Sequence, residues 1–272
     1  MIIDIQKVTK QSIPRPTCNE LSQVAEQVWQ YSNDHIHELE KGSTTDKFFA
    51  ASIKVSASNL KAMLKLSAVY LPETGSIFRN LVETCVDFFW IASYVENEPT
   101  KGERLAQNFF LYGKYKFAEN AATYASIAKT DVFLRDISTP FEDSKLVDDC
   151  KKDVAGHSFS DSWRFDPTIF ADEKETRWQK RSEKAAEFVR KTMNLKGAPY
   201  LANLVVLSAY SHFDPAQISF FSNELQNRFF DRSVNIALGF VFDMLLYSYR
   251  RKGWTPPQQL VILQHKFIWF ST

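Results

Sequence analysis

The segment SIFRNLVETCVDFFWIASYV, residues 76–95, decides the fold of this chain. Most of its side chains are apolar, and its three charged residues, Arg79, Glu83 and Asp87, are spaced by four. On an α-helix this spacing places the charges in one narrow row, while large apolar side chains cover the rest of the surface. The segment is therefore predicted to be a helix that is buried on nearly every side, with charges that need partners from elsewhere in the protein.

The composition favours an all-α protein. The 272 residues include only 8 Gly and 10 Pro, and long segments contain neither, which is typical of helices rather than of sheets with many turns. We predict a single-domain multi-helix bundle with antiparallel helix hairpins and a buried polar centre. Its predicted parts are an N-terminal arm (1–16), an all-helical domain (17–254) and an apolar C-terminal segment (255–272) that packs on the core or on a second copy.

Charge and cysteine usage predict a cytoplasmic protein without a basic field. The 33 Lys and Arg against 32 Asp and Glu give a net charge of +1, so no long-range attraction to nucleic acid or to a membrane is expected. The three cysteines are far apart and lack CxxC spacing, which fits free thiols in a reducing compartment. The most apolar segments carry internal charges, which favours core helices over membrane spans.

Apolar residues recur at intervals of three and four over most of the chain, which predicts helices. These are expected at about 17–40, 43–71, 76–95, 101–129, 144–152, 172–195, 198–212 and 225–251. The LPETG sequence at 71–75 is interpreted as a turn that joins the second and third helices into a hairpin. Residues 156–170 are polar and without periodicity but contain several large rings, so we predict a loop that folds onto the body and caps the polar centre.

A second polar row lies on the predicted helix at 198–212, where Tyr200, Ser208 and His212 fall at multiples of four. An unpaired buried polar group costs about 1 to 3 kcal/mol, so two buried helices with one polar row each are most readily satisfied by facing each other. An Arg four residues before a Glu is the weaker order for pairing within a helix, so Glu83 is expected to face another helix. We therefore predict that Arg79, Glu83, Tyr200, Ser208 and His212 converge.

These motifs resemble those of a widespread prokaryotic family of all-helical proteins, known mainly as a domain of unknown function. The hallmarks are an R-x-x-x-E helix and a later Y-x(7)-S-x-x-x-H helix. In this chain they are matched by Arg79 and Glu83, then by Tyr200, Ser208 and His212, with Trp163 and Trp178 between the two helices. The resemblance spans about 48–215 and implies a helical fold with a shared polar centre, not an activity.

A chemical hypothesis for this centre assigns His212 as general base, Glu83 as the carboxylate that orients it and Arg79 as an anion clamp. Substrate contacts are assigned to Tyr200, Ser208, Asp87 and Trp163. The predicted function is a prokaryotic effector, in defence or stress, that binds or cleaves a nucleotide or RNA without a metal. The arrangement is similar to the helical nucleases of defence toxins, but those enzymes carry Arg and His four to six residues apart on one helix, and this chain does not.

Several alternatives remain open at this stage. The same polar residues can serve only to fix helix register in a non-catalytic scaffold or protein-interaction module. A lysine row at positions 47, 54, 61 and 65 can follow a phosphate backbone or be a solvated face. His35 and His37 are two residues apart and do not share a helix face, so a surface DHIHE turn is favoured over a metal site. No cofactor is predicted, because phosphate-binding and dinucleotide-binding glycine motifs are absent.

Overall fold

A computed structural model describes residues 18–66, 71–130, 143–159, 169–170, 173–192 and 223–268. The predicted all-α fold is confirmed, since these residues form helices that pack on helices and contain no strand. The α-helices are α1 (Cys18–Glu40), α2 (Thr44–Leu66), α3 (Leu71–Asn97), α4 (Pro99–Thr130), α5 (Ser144–Val154), α6 (Trp178–Thr192), α7 (Asn223–Arg251) and α8 (Gln258–Ile268). A short 3₁₀ helix, Glu173–Thr176, precedes α6.

The helices form two compact units. One contains the described residues within Met1–Ile36, Ile53–Cys85 and Asn203–Thr272, and the other contains those within His37–Ser52 and Val86–Ala202. The division falls inside α1, α2 and α3, so each of these helices contributes one part to each unit. The polar row of α3 is divided as well, because Arg79 and Glu83 belong to the first unit and Asp87 to the second.

The core of the first unit is built from the apolar faces of α1, α2, α3 and α7. Fully buried side chains include Leu21, Val28, Ile53, Leu81 and Leu245, and each contributes about 1.5 to 3 kcal/mol by leaving water. The C-terminal helix α8 packs on α7. Packing of the whole predicted C-terminal segment on the core or on a second copy stays a prediction.

The core of the second unit is dominated by aromatic rings. Phe88 of α3 packs against Phe49 of α2, with ring centroids 4.5 Å apart, and lies 5.0 Å from Phe89. Phe89 in turn contacts Phe188 of α6. The run of large rings in the middle of α3 thus joins α2, α3 and α6 into one core, as the apolar surface of this segment predicts.

The third helix starts earlier than its sequence predicts. Residues 71–75, interpreted as a turn, are the first residues of α3. Pro72 does not break the helix, because it lies in the first turn, where a backbone N–H has no partner inside the helix. Proline therefore marks the start of this helix rather than a break before it.

A tight corner joins α3 to α4. A Cβ atom on Gly102 would lie 2.7 Å from the backbone nitrogen of Val95, which is closer than real side-chain contacts allow. The corner continues the hydrogen bonding of both helices, because the amide of Glu98 donates to the carbonyl of Tyr94 and that of Gly102 donates to the carbonyl of Glu98. Glycine thus lets the two helices meet at close range.

The start of α2 is held by three acceptors. The amide of Ser43 donates to the Asp46 carboxylate and the amide of Asp46 donates to the Ser43 hydroxyl, at 3.0 and 3.2 Å. The Glu103 carboxylate of α4 accepts from the amides of Thr44 and Thr45 at 3.0 and 3.2 Å. Burial alone would raise the pKa of Glu103, but these bonds and one from the Thr45 hydroxyl outweigh it and lower that pKa. Glu103 therefore caps the helix in its charged form.

We expect Glu103→Gln to reduce the free energy of unfolding by about 1 to 2 kcal/mol, because the amide keeps the shape but loses the charge-assisted bonds to α2. Urea denaturation at neutral pH measures the change. Glu187→Gln, on an exposed pair with Lys191, is the control and should lower the free energy of unfolding much less, because solvent screens that pair. Equal losses in the two variants would contradict the capping role.

Candidate functional site

The predicted pair of Arg79 and Glu83 lies at the surface of the first unit. Arg79 Nε donates to Glu83 Oε1 at 2.8 Å within α3, and the two side chains are 44% and 40% exposed. This corrects the expectation that Glu83 faces another helix from a buried row. The weaker residue order still permits the pair, because both side chains reach into solvent and can adopt the geometry at low cost.

These two residues belong to a polar strip on α3, made of Ser76, Arg79, Asn80, Glu83 and Thr84. Each member is exposed or half-buried. The Thr84 hydroxyl donates to the carbonyl of Asn80 at 2.8 Å. Of the apolar side chains in the same stretch, Phe78, Leu81, Val82 and Cys85 are buried in the first unit and Ile77 is half-buried. The polar strip is therefore the part of this stretch of α3 that a ligand in solution can reach.

The third charge of the row has a different environment. Asp87 forms an ion pair with Arg181 of α6 inside the second unit, and both side chains are only 7% exposed. The guanidinium carbon of Arg181 lies 5.8 Å from the ring centroid of Trp90 and 5.5 Å from that of Trp178. Aromatic faces stabilise a guanidinium that has left water. The pair thus joins α3 to α6 from within the core.

The sequence alone does not single out Arg181, which is one of many basic residues in the predicted helix at 172–195. Arg181 is three residues after Trp178, so the two lie on one face of the helix. That position, together with an Asp87 that has no evident partner in its apolar helix, was the available signal.

The second half of the predicted centre is outside the described residues. Tyr200, Ser208 and His212 fall in 193–222, and Trp163 falls in 160–168. Their convergence with Arg79 and Glu83 stays a prediction. The described ends of the predicted loop at 156–170 do pack on the second unit, where Phe159 contacts Tyr112 and Phe170 stacks on Trp90.

A buried histidine lies in the first unit, within the segment that was interpreted as a surface turn. His35 is part of α1 and only 2% exposed, whereas His37 is exposed. Its ring stacks on Tyr249 at 4.1 Å and meets the edge of Trp254 at 5.1 Å. Neither ring nitrogen has a hydrogen-bond partner among the described residues. Burial, and secondly the positive charge of Lys252, lower the pKa of His35 to about 4.

The described ranges contain no group of three or more His, Cys, Asp and Glu side chains placed to bind a metal ion. None of the helices in these ranges has the length and the apolar character needed to cross a membrane. One lysine of the predicted basic row, Lys61, pairs with Glu26 at 3.0 Å and lies over Trp29, so its charge is partly matched within the first unit.

Comparisons of this chain with known protein families, with curated proteins and with solved structures found no match.

Proposed function

We propose that this protein binds a nucleotide or RNA, with Arg79 on the polar strip as the residue that contacts phosphate. The observation that supports the proposal is the split of the charged row of α3. Asp87 is held inside the second unit by Arg181, whereas Arg79 and Glu83 are open to solvent. Of these three charges, only the exposed pair can meet a ligand without unfolding part of the core.

The exposed ion pair between Arg79 and Glu83 is weak. An ion pair between exposed residues four apart on a helix contributes only about 0.3 to 0.5 kcal/mol. A guanidinium binds phosphate through two parallel hydrogen bonds, which are stronger than one bond to a flexible carboxylate. A phosphate can therefore compete with Glu83 for Arg79.

The same proposal extends to cleavage of the bound nucleotide or RNA. Once a phosphate occupies Arg79, the Glu83 carboxylate is released and can orient His212, the proposed general base. The imidazole then takes a proton from the attacking hydroxyl, whose oxygen forms a bond to phosphorus as the bond from phosphorus to the leaving oxygen breaks. The imidazolium returns the proton to the leaving oxygen, and Arg79 stabilises the charge that develops on the phosphate. In this scheme Tyr200 and Ser208 contact the substrate.

Binding is tested first with a fluorescent single-stranded RNA and with ATP as probes. We expect Arg79→Gln to weaken binding at least about fivefold, because one charge-assisted phosphate contact is lost. Arg190→Gln, an exposed arginine of α6, removes the same charge and should change binding less than about twofold. Failure of the unmodified protein to bind either probe, or equal losses in both variants, would refute the proposal.

Cleavage is tested with Glu83→Ala and His212→Ala against the same probes. Loss of turnover with a nearly unchanged melting temperature supports catalysis. A large fall in melting temperature in both variants would instead assign these residues to the fold.

The second candidate function is a non-catalytic scaffold or protein-interaction module. It is favoured by the Asp87–Arg181 pair, which is buried and joins two helices, as expected of a polar contact that fixes helix register. In this alternative the polar row has no ligand, and RNA binding is absent while the fold persists.

A further inference from the structure

The geometry points to a second binding site, for a small phosphomonoester, at the corner between α3 and α4 in the second unit. A pocket of about 370 Å³ opens there, within the size range of small-molecule sites. We name it the corner pocket. It is lined by Glu98, Pro99, Thr100, Lys101, Arg104 and Ile169.

The corner pocket is built at the start of a long helix. Most of its lining comes from Glu98 and the first turns of α4, which runs for 32 residues. The amino end of such a helix carries a partial positive charge. Lys101 and Arg104 add two full charges in the same place. The tight packing at Gly102 fixes these groups relative to the end of α3.

A third cation reaches this region from α6. The ammonium of Lys184 lies 3.4 Å from the ring centroid of Tyr94, and that of Lys101 lies 4.7 Å from the same centroid. Lys101 is also 4.5 Å from the ring centroid of Phe170. Two ammonium groups therefore share one buried tyrosine, and the charge of Lys101, which lines the pocket, acts on that of Lys184.

The charge of Lys184 is incompletely matched. Within the described residues, Lys184 forms neither an ion pair nor a hydrogen bond, although the carboxylates of Glu98, Glu175 and Glu187 act on it from a distance. Burial, together with the charge of Lys101, lowers the pKa of Lys184 despite these carboxylates. Burial also raises the pKa of Tyr94 to about 12, so the phenol stays neutral. A doubly charged anion bound at Lys101 in the pocket would offset the repulsion between the two lysines.

The remaining lining distinguishes a phosphomonoester from a bare anion. Glu98 is 3.9 Å from Lys101 and its side chain is 55% exposed, so its carboxylate can accept a hydrogen bond from a hydroxyl group of the ligand. Ile169 provides an apolar wall. Phosphate at the lysines and a hydroxylated carbon chain toward Glu98 match the two parts of a sugar or glycerol phosphate.

Calorimetric titration with glycerol 3-phosphate and with inorganic phosphate tests this site. We expect the organic phosphate to bind more tightly than inorganic phosphate. Lys184→Met keeps an apolar stem on Tyr94 but removes the charge, and it should weaken glycerol 3-phosphate binding at least about tenfold, as should Lys101→Gln. Lys191→Gln, on an exposed pair of the same helix, is the matched control and should bind normally.

The test of the corner pocket does not depend on whether the proposed function is correct. Arg79→Gln, in the first unit, should bind glycerol 3-phosphate as the unmodified protein does, even if it loses RNA. Thermal unfolding shows whether each variant is folded, and Lys184→Arg provides a variant that retains the charge. The inference is overturned if the folded Lys184→Met and Lys101→Gln variants bind like Lys191→Gln, or if the unmodified protein binds neither phosphate.

Discussion

Replacing Asp87 with alanine is expected to lower the free energy of unfolding by about 3 to 5 kcal/mol, because it leaves the buried guanidinium of Arg181 without its carboxylate. A loss of this size is a large part of the stability of most proteins. Urea denaturation followed by circular dichroism measures it. Asp87→Asn keeps the shape of the side chain, and its free energy of unfolding should lie between those of Asp87→Ala and the unmodified protein, since the amide oxygen still accepts a hydrogen bond.

The matched control lies one helical turn away. Glu83→Ala removes a carboxylate from the same helix, but that carboxylate is 40% exposed and paired at the surface. Its expected cost is less than about 1 kcal/mol. The double variant Asp87→Leu with Arg181→Met should recover much of the loss, because two apolar side chains of similar volume can replace a buried ion pair. Equal costs for Asp87→Ala and Glu83→Ala would contradict the structural role of the buried pair.

Acidification is expected to destabilise the protein through His35. The pKa of His35 is lowered to about 4 in the folded state from an ordinary value of 6.5, so the folded protein binds fewer protons than the unfolded chain over this range. The contribution of neutral His35 to the free energy of unfolding is complete above pH 6.5 and declines as the pH falls toward 4. Between pH 7 and pH 5 the loss is about 2 kcal/mol.

The variant His35→Phe separates this contribution from that of the carboxylates. Phenylalanine keeps the stack on Tyr249 and removes two nitrogens that have no hydrogen-bond partner in the part of the chain that the structure describes, so stability at pH 7 should be unchanged or higher. Denaturation at pH 7 and pH 5 should show a smaller acid-induced loss than in the unmodified protein. His37→Gln, at an exposed position two residues later, should retain the full loss. An identical pH dependence in His35→Phe and the unmodified protein would show that His35 does not titrate in this way.

The fold class was predictable from the sequence because it rests on local regularities. The low glycine and proline content and the spacing of three and four identified most of the described helices, including α1, α4, α5 and α7, within a few residues at their ends. The apolar surface of the segment at 76–95 correctly marked it as a core helix. The N-terminal limit of α3 was missed, because Pro72 is compatible both with a turn and with the first turn of a helix.

The environment of each charge was not predictable in this way. Arg79, Glu83 and Asp87 have the same spacing and lie in the same apolar segment, yet the structure exposes two of them and buries the third with Arg181. His35 and His37 have equally polar neighbours in the sequence. His35 is nevertheless buried, because Tyr249 and Trp254 cover it. Burial of this kind depends on residues more than 90 positions away, so helical periodicity cannot reveal it.

The sequence by itself determined that the chain is helical and that a row of charges runs along its most apolar helix. Only the tertiary structure decided that this row is divided between an exposed pair and a buried ion pair, and that two lysines from different helices share Tyr94. The physical reason is that helix formation follows from the order of neighbouring residues, whereas the partner of a charge depends on which helices pack together.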